Sequence, residues 1–88
     1  MKNMLETKAK AVASNIRKIR EFRNYTQDYL AAKLGISQNA YSKIELGYSR
    51  LTLERLFQIS VVLEIEAAIL VAQDHSEIMK LLTENTLV

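Results

Sequence analysis

Four side chains near the middle of the chain, Gln38, Asn39, Ser42 and Lys43, carry the groups best suited to recognition chemistry. A spacing of i, i+1, i+4 and i+5 gathers their amides, hydroxyl and amine on one side of a helix. An Asn or Gln amide can bond an adenine at N6 and N7 together, and a lysine amine reaches guanine O6/N7 or a phosphate. The major groove of B-DNA is about 12 Å wide and admits one α-helix, whose first turn then touches base edges. No comparable set exists for catalysis. His75 is the only histidine, cysteine is absent, and two glycines cannot build a phosphate-cradling loop. Ser76 beside His75 sits inside a helix-capping signal, and Glu64 and Glu66, two apart, fall on different faces of a helix. The chain is read as no enzyme, with no metal site and no cofactor.

The elements that must position those four side chains are two short helices, 27–34 and 38–46, joined by a tight turn. Thr26 can cap the first by accepting a backbone N–H, and Asp28 sits well near its positive dipole end. Leu30 and Leu34 pair at i, i+4, and Gly35 follows where a helix end wants positive φ. Ser37 offers a second cap only two residues later, so the helices must cross sharply, and Ala31 supplies the small side chain such a crossing needs. Ala40, Tyr41 and Ile44 form the apolar inner face of the second helix, and Gly47 closes it. A first helix is predicted from about residue 10 to 23, extending further toward the N-terminus if residues 1–11 are helical. Val12, Ile16, Ile19 and Phe22 recur along its inner side, and Lys10, Arg17, Lys18 and Arg20 or Arg23 along its outer side. After the loop Tyr48–Leu51, Thr52 caps a fourth helix in which Leu53, Leu56, Phe57, Ile59, Ser60 and Leu63 recur at helical spacing. Glu66 opens a fifth, with Ala68, Ile69 and Ala72 as packing candidates. Asp74 and Glu77 have the spacing of a capping box for a last helix. Its stripe of Ile78, Leu81 and Leu82 either packs back on the domain or meets its copy in a second chain.

Composition agrees with an all-α architecture. The 88 residues include no proline and two glycines, and 49% are hydrophobic, which favours a compact helical bundle over disorder or a turn-rich β protein. The longest apolar runs, Val61–Leu63 and Ala67–Ala72, fall far short of the roughly 20 residues needed to span a bilayer. The first residues lack the apolar stretch of a secretory signal, so a cytoplasmic, soluble protein with no membrane partner is expected. Net charge is only +2 but unevenly placed: residues 1–50 hold ten Lys/Arg against four Asp/Glu, and residues 51–88 hold two against six. A basic half suits phosphates and an acidic half suits the side turned away from them. The chain divides into an N-terminal extension (1–11, helical or disordered), a domain (12–72) and a C-terminal helix (73–88) for dimerisation or a partner.

Residues 16–70 resemble the lambda-repressor-like, Xre family of helix-turn-helix domains. The segments that carry the resemblance are Ile16–Arg23, Thr26–Ser37, Tyr41–Gly47 and Thr52–Leu56, in the family's order and spacing. The resemblance implies a compact five-helix DNA-binding domain, here with a short additional C-terminal helix, acting on double-stranded DNA as a homodimeric transcriptional regulator, a repressor foremost. The alternative it implies is an antitoxin, whose appended segment 73–88 holds a toxin protein while the domain autoregulates its operon. By the same resemblance Gln38, Asn39, Ser42 and Lys43 read bases, whereas Gln27, Tyr48 and Arg50 touch phosphates. Tyr41, larger than the aliphatic residue often found there, is read as half core and half contact to the DNA backbone. Arg20 and Glu45 match an arginine–glutamate pair tying the first helix to the end of the third. Two positions depart from the family pattern: Leu51 stands where proline is usual before the fourth helix, and Glu64 where glycine is usual before the fifth.

Overall fold

The computed structural model describes residues 2–72 and 74–87. Six helices follow one another with no strand among the described residues: α1 (Lys2–Phe22), α2 (Gln27–Leu34), α3 (Gln38–Glu45), α4 (Leu53–Leu63), α5 (Ala67–Ala72) and α6 (His75–Leu87). The architecture is all-α. Helix α1 starts at Lys2, so most of the extension 1–11 is helical. Its sequence explains this, because Lys, Met, Leu, Glu and Ala dominate residues 2–11 and neither Gly nor Pro interrupts them.

Helix α1 is the hub, packing against α3, α4, α5 and α6. Ile16 and Ile19 sit fully buried with Leu30 of α2, Tyr41 of α3, Ile59 and Leu63 of α4, Leu70 of α5 and Ile78 of α6. A buried polar contact accompanies this packing: Asn15 Nδ2 donates to the Leu70 carbonyl at 2.9 Å, near the end of α5 where helix carbonyls lack helical partners. At the start of α6 the Asp74 carboxylate accepts from the Glu77 backbone N–H at 3.0 Å and from the Ser76 hydroxyl at 2.7 Å. The stripe on α6 packs back on the domain, with Ile78 and Leu82 buried and Leu81 at its exposed margin.

Packing departs from the periodic pattern at several places. Leu53 and Phe57 of α4 face outward together with Val61, forming an exposed i, i+4, i+8 line, because Leu56, Ile59, Ser60 and Leu63 already fill the inner side. Ala68 and Ala72 of α5 are exposed as well, leaving Leu70 as its buried anchor. Helix α3 ends at Glu45, one residue earlier than expected, with Leu46 as an exposed cap residue. Arg23, expected on the outer side of α1, folds onto the end of α4. Its Nε donates to the Leu63 carbonyl at 3.0 Å and its Nη2 to the Glu64 carbonyl at 3.1 Å. Glu64 itself adopts φ 57°, the left-handed conformation that glycine supplies elsewhere in the family pattern.

Candidate nucleic-acid interface

Local hydrogen bonds build the α2–α3 unit. Thr26 Oγ1 accepts from the Tyr29 backbone N–H at 3.0 Å and Ser37 Oγ from that of Ala40 at 3.1 Å, so each helix start has a side-chain partner. Gly35 takes φ 72° after α2, and the N–H groups of Gly35 and Ile36 return to the carbonyls of Ala32 and Ala31. This 6→1 and 5→2 closure turns the chain within two residues and brings Ser37 into place. Ala31 is buried, as a close crossing of α2 and α3 requires.

The turn leaves Gln38, Asn39 and Lys43 exposed on α3 while Tyr41 and Ile44 face the core. Ser42 is half-buried and lines a shallow groove with Gln27, Arg17 and Leu46. Beyond α3, Gly47 adopts φ 78° and the chain bends so that the Tyr48 and Ser49 N–H groups both bond the Lys43 carbonyl, at 2.9 and 3.3 Å. Tyr48 is 75% exposed on that loop, and Arg50 is exposed two residues on. The structure therefore gathers three exposed α3 side chains, half-buried Ser42 and Gln27, and the two loop residues around one helix.

Tyr41 does not belong with them. Its side chain is fully buried, and its hydroxyl donates to Glu45 Oε2 at 2.5 Å, so the expectation of a contact to the DNA backbone is corrected. The reason lies in register: Tyr41 and Glu45 are i, i+4 on α3 and both face α1. The carboxylate of Glu45 is the centre of a buried network. Arg20 Nε donates to Oε2 at 2.6 Å and Nη2 to Oε1 at 3.1 Å, a two-pronged ion pair. Gln27 Nε2 donates to Oε1 at 3.1 Å, and Arg20 Nη1 reaches the Tyr25 carbonyl in the α1–α2 turn at 2.8 Å. One carboxylate thus links α1, α2 and α3.

The electrostatics follow from the geometry. Burial pushes the Glu45 carboxyl upward, but hydrogen bonds from Arg20, Tyr41 and Gln27 outweigh it and hold the group below its ordinary value. Tyr41 is pushed well above the usual phenol range by burial and by its bond to the carboxylate. Hydrogen bonding to Glu45 raises Arg20 further. The network is ionised and fully bonded: among the described residues no buried side-chain polar atom lacks a partner.

Two of its members, Tyr41 and Gln27, were missed as partners of Glu45 by sequence reasoning. The i, i+4 spacing of Tyr41 and Glu45 carried a signal for the first. Nothing local signals the second, which depends on how α2 crosses α3.

The geometry is that of a helix-turn-helix with its second helix presented outward, and a helix-turn-helix family model matches residues 16–70. The chain belongs to this Xre-like, lambda-repressor-like family. Comparison with curated proteins and with solved structures returned no match. A helix-turn-helix protein of this kind is a DNA-binding regulator. In this family member the matched segment begins at Ile16 and ends at Leu70, so the first fourteen residues of α1 and all of α6 lie outside it. No described helix of this helix-turn-helix protein is long and apolar enough to cross a membrane.

Proposed function

We propose that the protein is a sequence-specific transcriptional repressor of the cytoplasm that binds operator DNA as a homodimer, each copy laying α3 in a major groove. The observation that carries this reading is the exposure of Gln38, Asn39 and Lys43 on the first turns of α3, directly above a buried Tyr41 and Ile44 that fix the helix in place. Gln38 and Asn39 read bases, with Lys43 and Ser42 beside them reaching a second step. Tyr48 and Arg50, on the loop after α3, anchor the flanking backbone, and Gln27 contacts a phosphate at the rim of α2 while its amide stays tied to Glu45. An eight-residue helix reaches few base pairs, so a useful operator needs two copies of α3 about 34 Å apart, one turn of the duplex. The exposed line of Leu53, Phe57 and Val61 and the exposed Met4 and Leu5 leave apolar surface for a second copy. Repression follows from occupying a promoter against polymerase.

The test separates readers from anchors. Duplexes selected from a random pool give the preferred site and its half-site spacing. On that site Gln38→Ala or Asn39→Ala costs about 1–3 kcal/mol and relaxes preference at one or two positions, whereas Arg50→Ala weakens all duplexes alike. Identical behaviour of the two classes, or no selected site, overturns the reading.

A further inference from the structure

Gly47 follows the cap of α3 and sits against Lys10 of α1. A Cβ placed on Gly47 would stand 3.2 Å from Lys10 Cγ, 3.8 Å from its Cα and 3.9 Å from its Cβ. The stem of Lys10 therefore lies against the Gly47 backbone, its Cγ close enough that an added Cβ would have to displace it by a few tenths of an ångström. The next residue, Tyr48, and then Arg50 point into solvent on the same loop. Lys10 is exposed, and among the described residues it has no ion-pair partner. Seven residues on, and so on the same side of α1, Arg17 lines the groove shared with Gln27, Ser42 and Leu46 of the proposed interface. That side of α1 follows the rim of α3 from the α2 start to the loop.

We propose that Lys10 is a further phosphate-contacting residue, supplied by the part of α1 that precedes the family-matched segment. It grips the same stretch of DNA backbone that the Tyr48–Arg50 loop approaches and rests on the reading of that loop as a DNA anchor. The support is packed: Ala13 and Ile16 are buried about one and two turns further along α1, Asn15 is bonded to the Leu70 carbonyl, and α6 packs against the same helix. A lysine on such a helix is held at the rim before DNA arrives, which reduces the ordering cost of a contact from a loose tail. Its Cα–Cγ part lies against Gly47 and the residue is exposed, which suits a long cationic side chain that keeps its charged head in water. Because the contact is to phosphate, it adds affinity without sequence preference.

The experiment compares the full chain with Lys10→Ala, Lys10→Arg, Arg50→Ala and Lys80→Ala, a control on α6. Affinity for one random-sequence duplex is followed from about 0.05 to 0.4 M KCl. Each copy in the homodimer loses one phosphate contact, so the slope of log K against log salt becomes shallower by about 1.8 and the affinity falls about sixty-fold at 0.1 M salt. Lys10→Ala is expected to show that change, Lys10→Arg to restore the slope, and Lys80→Ala to leave it at the wild-type value. Thermal unfolding of each variant is recorded alongside: a merely structural Lys10 moves the melting temperature and leaves the slope alone, which overturns the proposal. A wild-type slope for Lys10→Ala with a reduced one for Arg50→Ala also overturns it while leaving the loop reading intact. Wild-type slopes for both variants refute the loop anchor and the Lys10 contact together.

Discussion

Replacing Tyr41 by phenylalanine removes one oxygen from the centre of the molecule and tests the buried network directly. The lost bond is the 2.5 Å contact from the hydroxyl to Glu45 Oε2, made to a carboxylate whose side chain is only 2% exposed. A hydrogen bond to a charged group contributes about 1.5–3 kcal/mol, and the remaining donors, Arg20 and Gln27, cannot move to replace it without shifting α1 or α2. Tyr41→Phe is therefore expected to destabilise the protein by about 1.5–3 kcal/mol at pH 7 in urea unfolding followed by circular dichroism. The pH dependence has a definite sign. Glu45 is held below its ordinary value of 4.5, so its contribution is fully present above that pH and is lost as pH falls through the lower, folded value. In Tyr41→Phe the folded carboxyl moves back upward, while the loss still begins at the same unfolded value in both proteins, so the variant stops losing stability sooner and loses less in total. Below both values the carboxyl is neutral in each protein, and the gap between them contracts. A difference under about 0.5 kcal/mol at pH 7, or one that never contracts as acid protonates the carboxyl in both folded proteins, would refute the picture of an ionised, triply bonded Glu45. Duplex affinity under conditions where both proteins are folded is expected to be unchanged, because Tyr41 has no exposed surface. A selective loss of affinity would instead restore it as a DNA contact.

Two further substitutions probe the C-terminal half. Glu64→Gly relieves a left-handed φ of 57° and is expected to stabilise the protein by about 0.5–1 kcal/mol after the added freedom of the unfolded chain, measured as a shift in urea midpoint; destabilisation would contradict it. Ile78→Ala empties a fully buried site under α1 and should cost about 2–5 kcal/mol independently of protein concentration. A cost that vanishes on dilution would mean that α6 meets another chain rather than its own.

Much of the interface was legible in the chain because it depends on short-range rules. The caps at Thr26 and Ser37, the left-handed Gly35 and Gly47 and the polar first turn of α3 each involve residues within four or five positions of one another. Preferences over that range are set by neighbouring residues, so they can be read from spacing even though eight-residue helices persist only once packed. The Arg20–Glu45 pair lies further apart, and only the family resemblance made it visible. The reading of α4 went astray for the opposite reason. Leu53 and Phe57 have the right type and period for a core, yet Leu56, Ile59 and Leu63 already occupy the inner side.

Residue types and their periods determined by themselves that this chain makes short helices, where those helices start and turn, and which polar groups α3 offers. Tertiary structure alone decided that Gln27 reaches Glu45, that Arg23 clamps the end of α4, that Lys10 lies against Gly47 and that α6 closes on α1. Each of those outcomes is a competition for limited buried volume or for a partner distant in the chain, and only the assembled fold sets the distances that decide it.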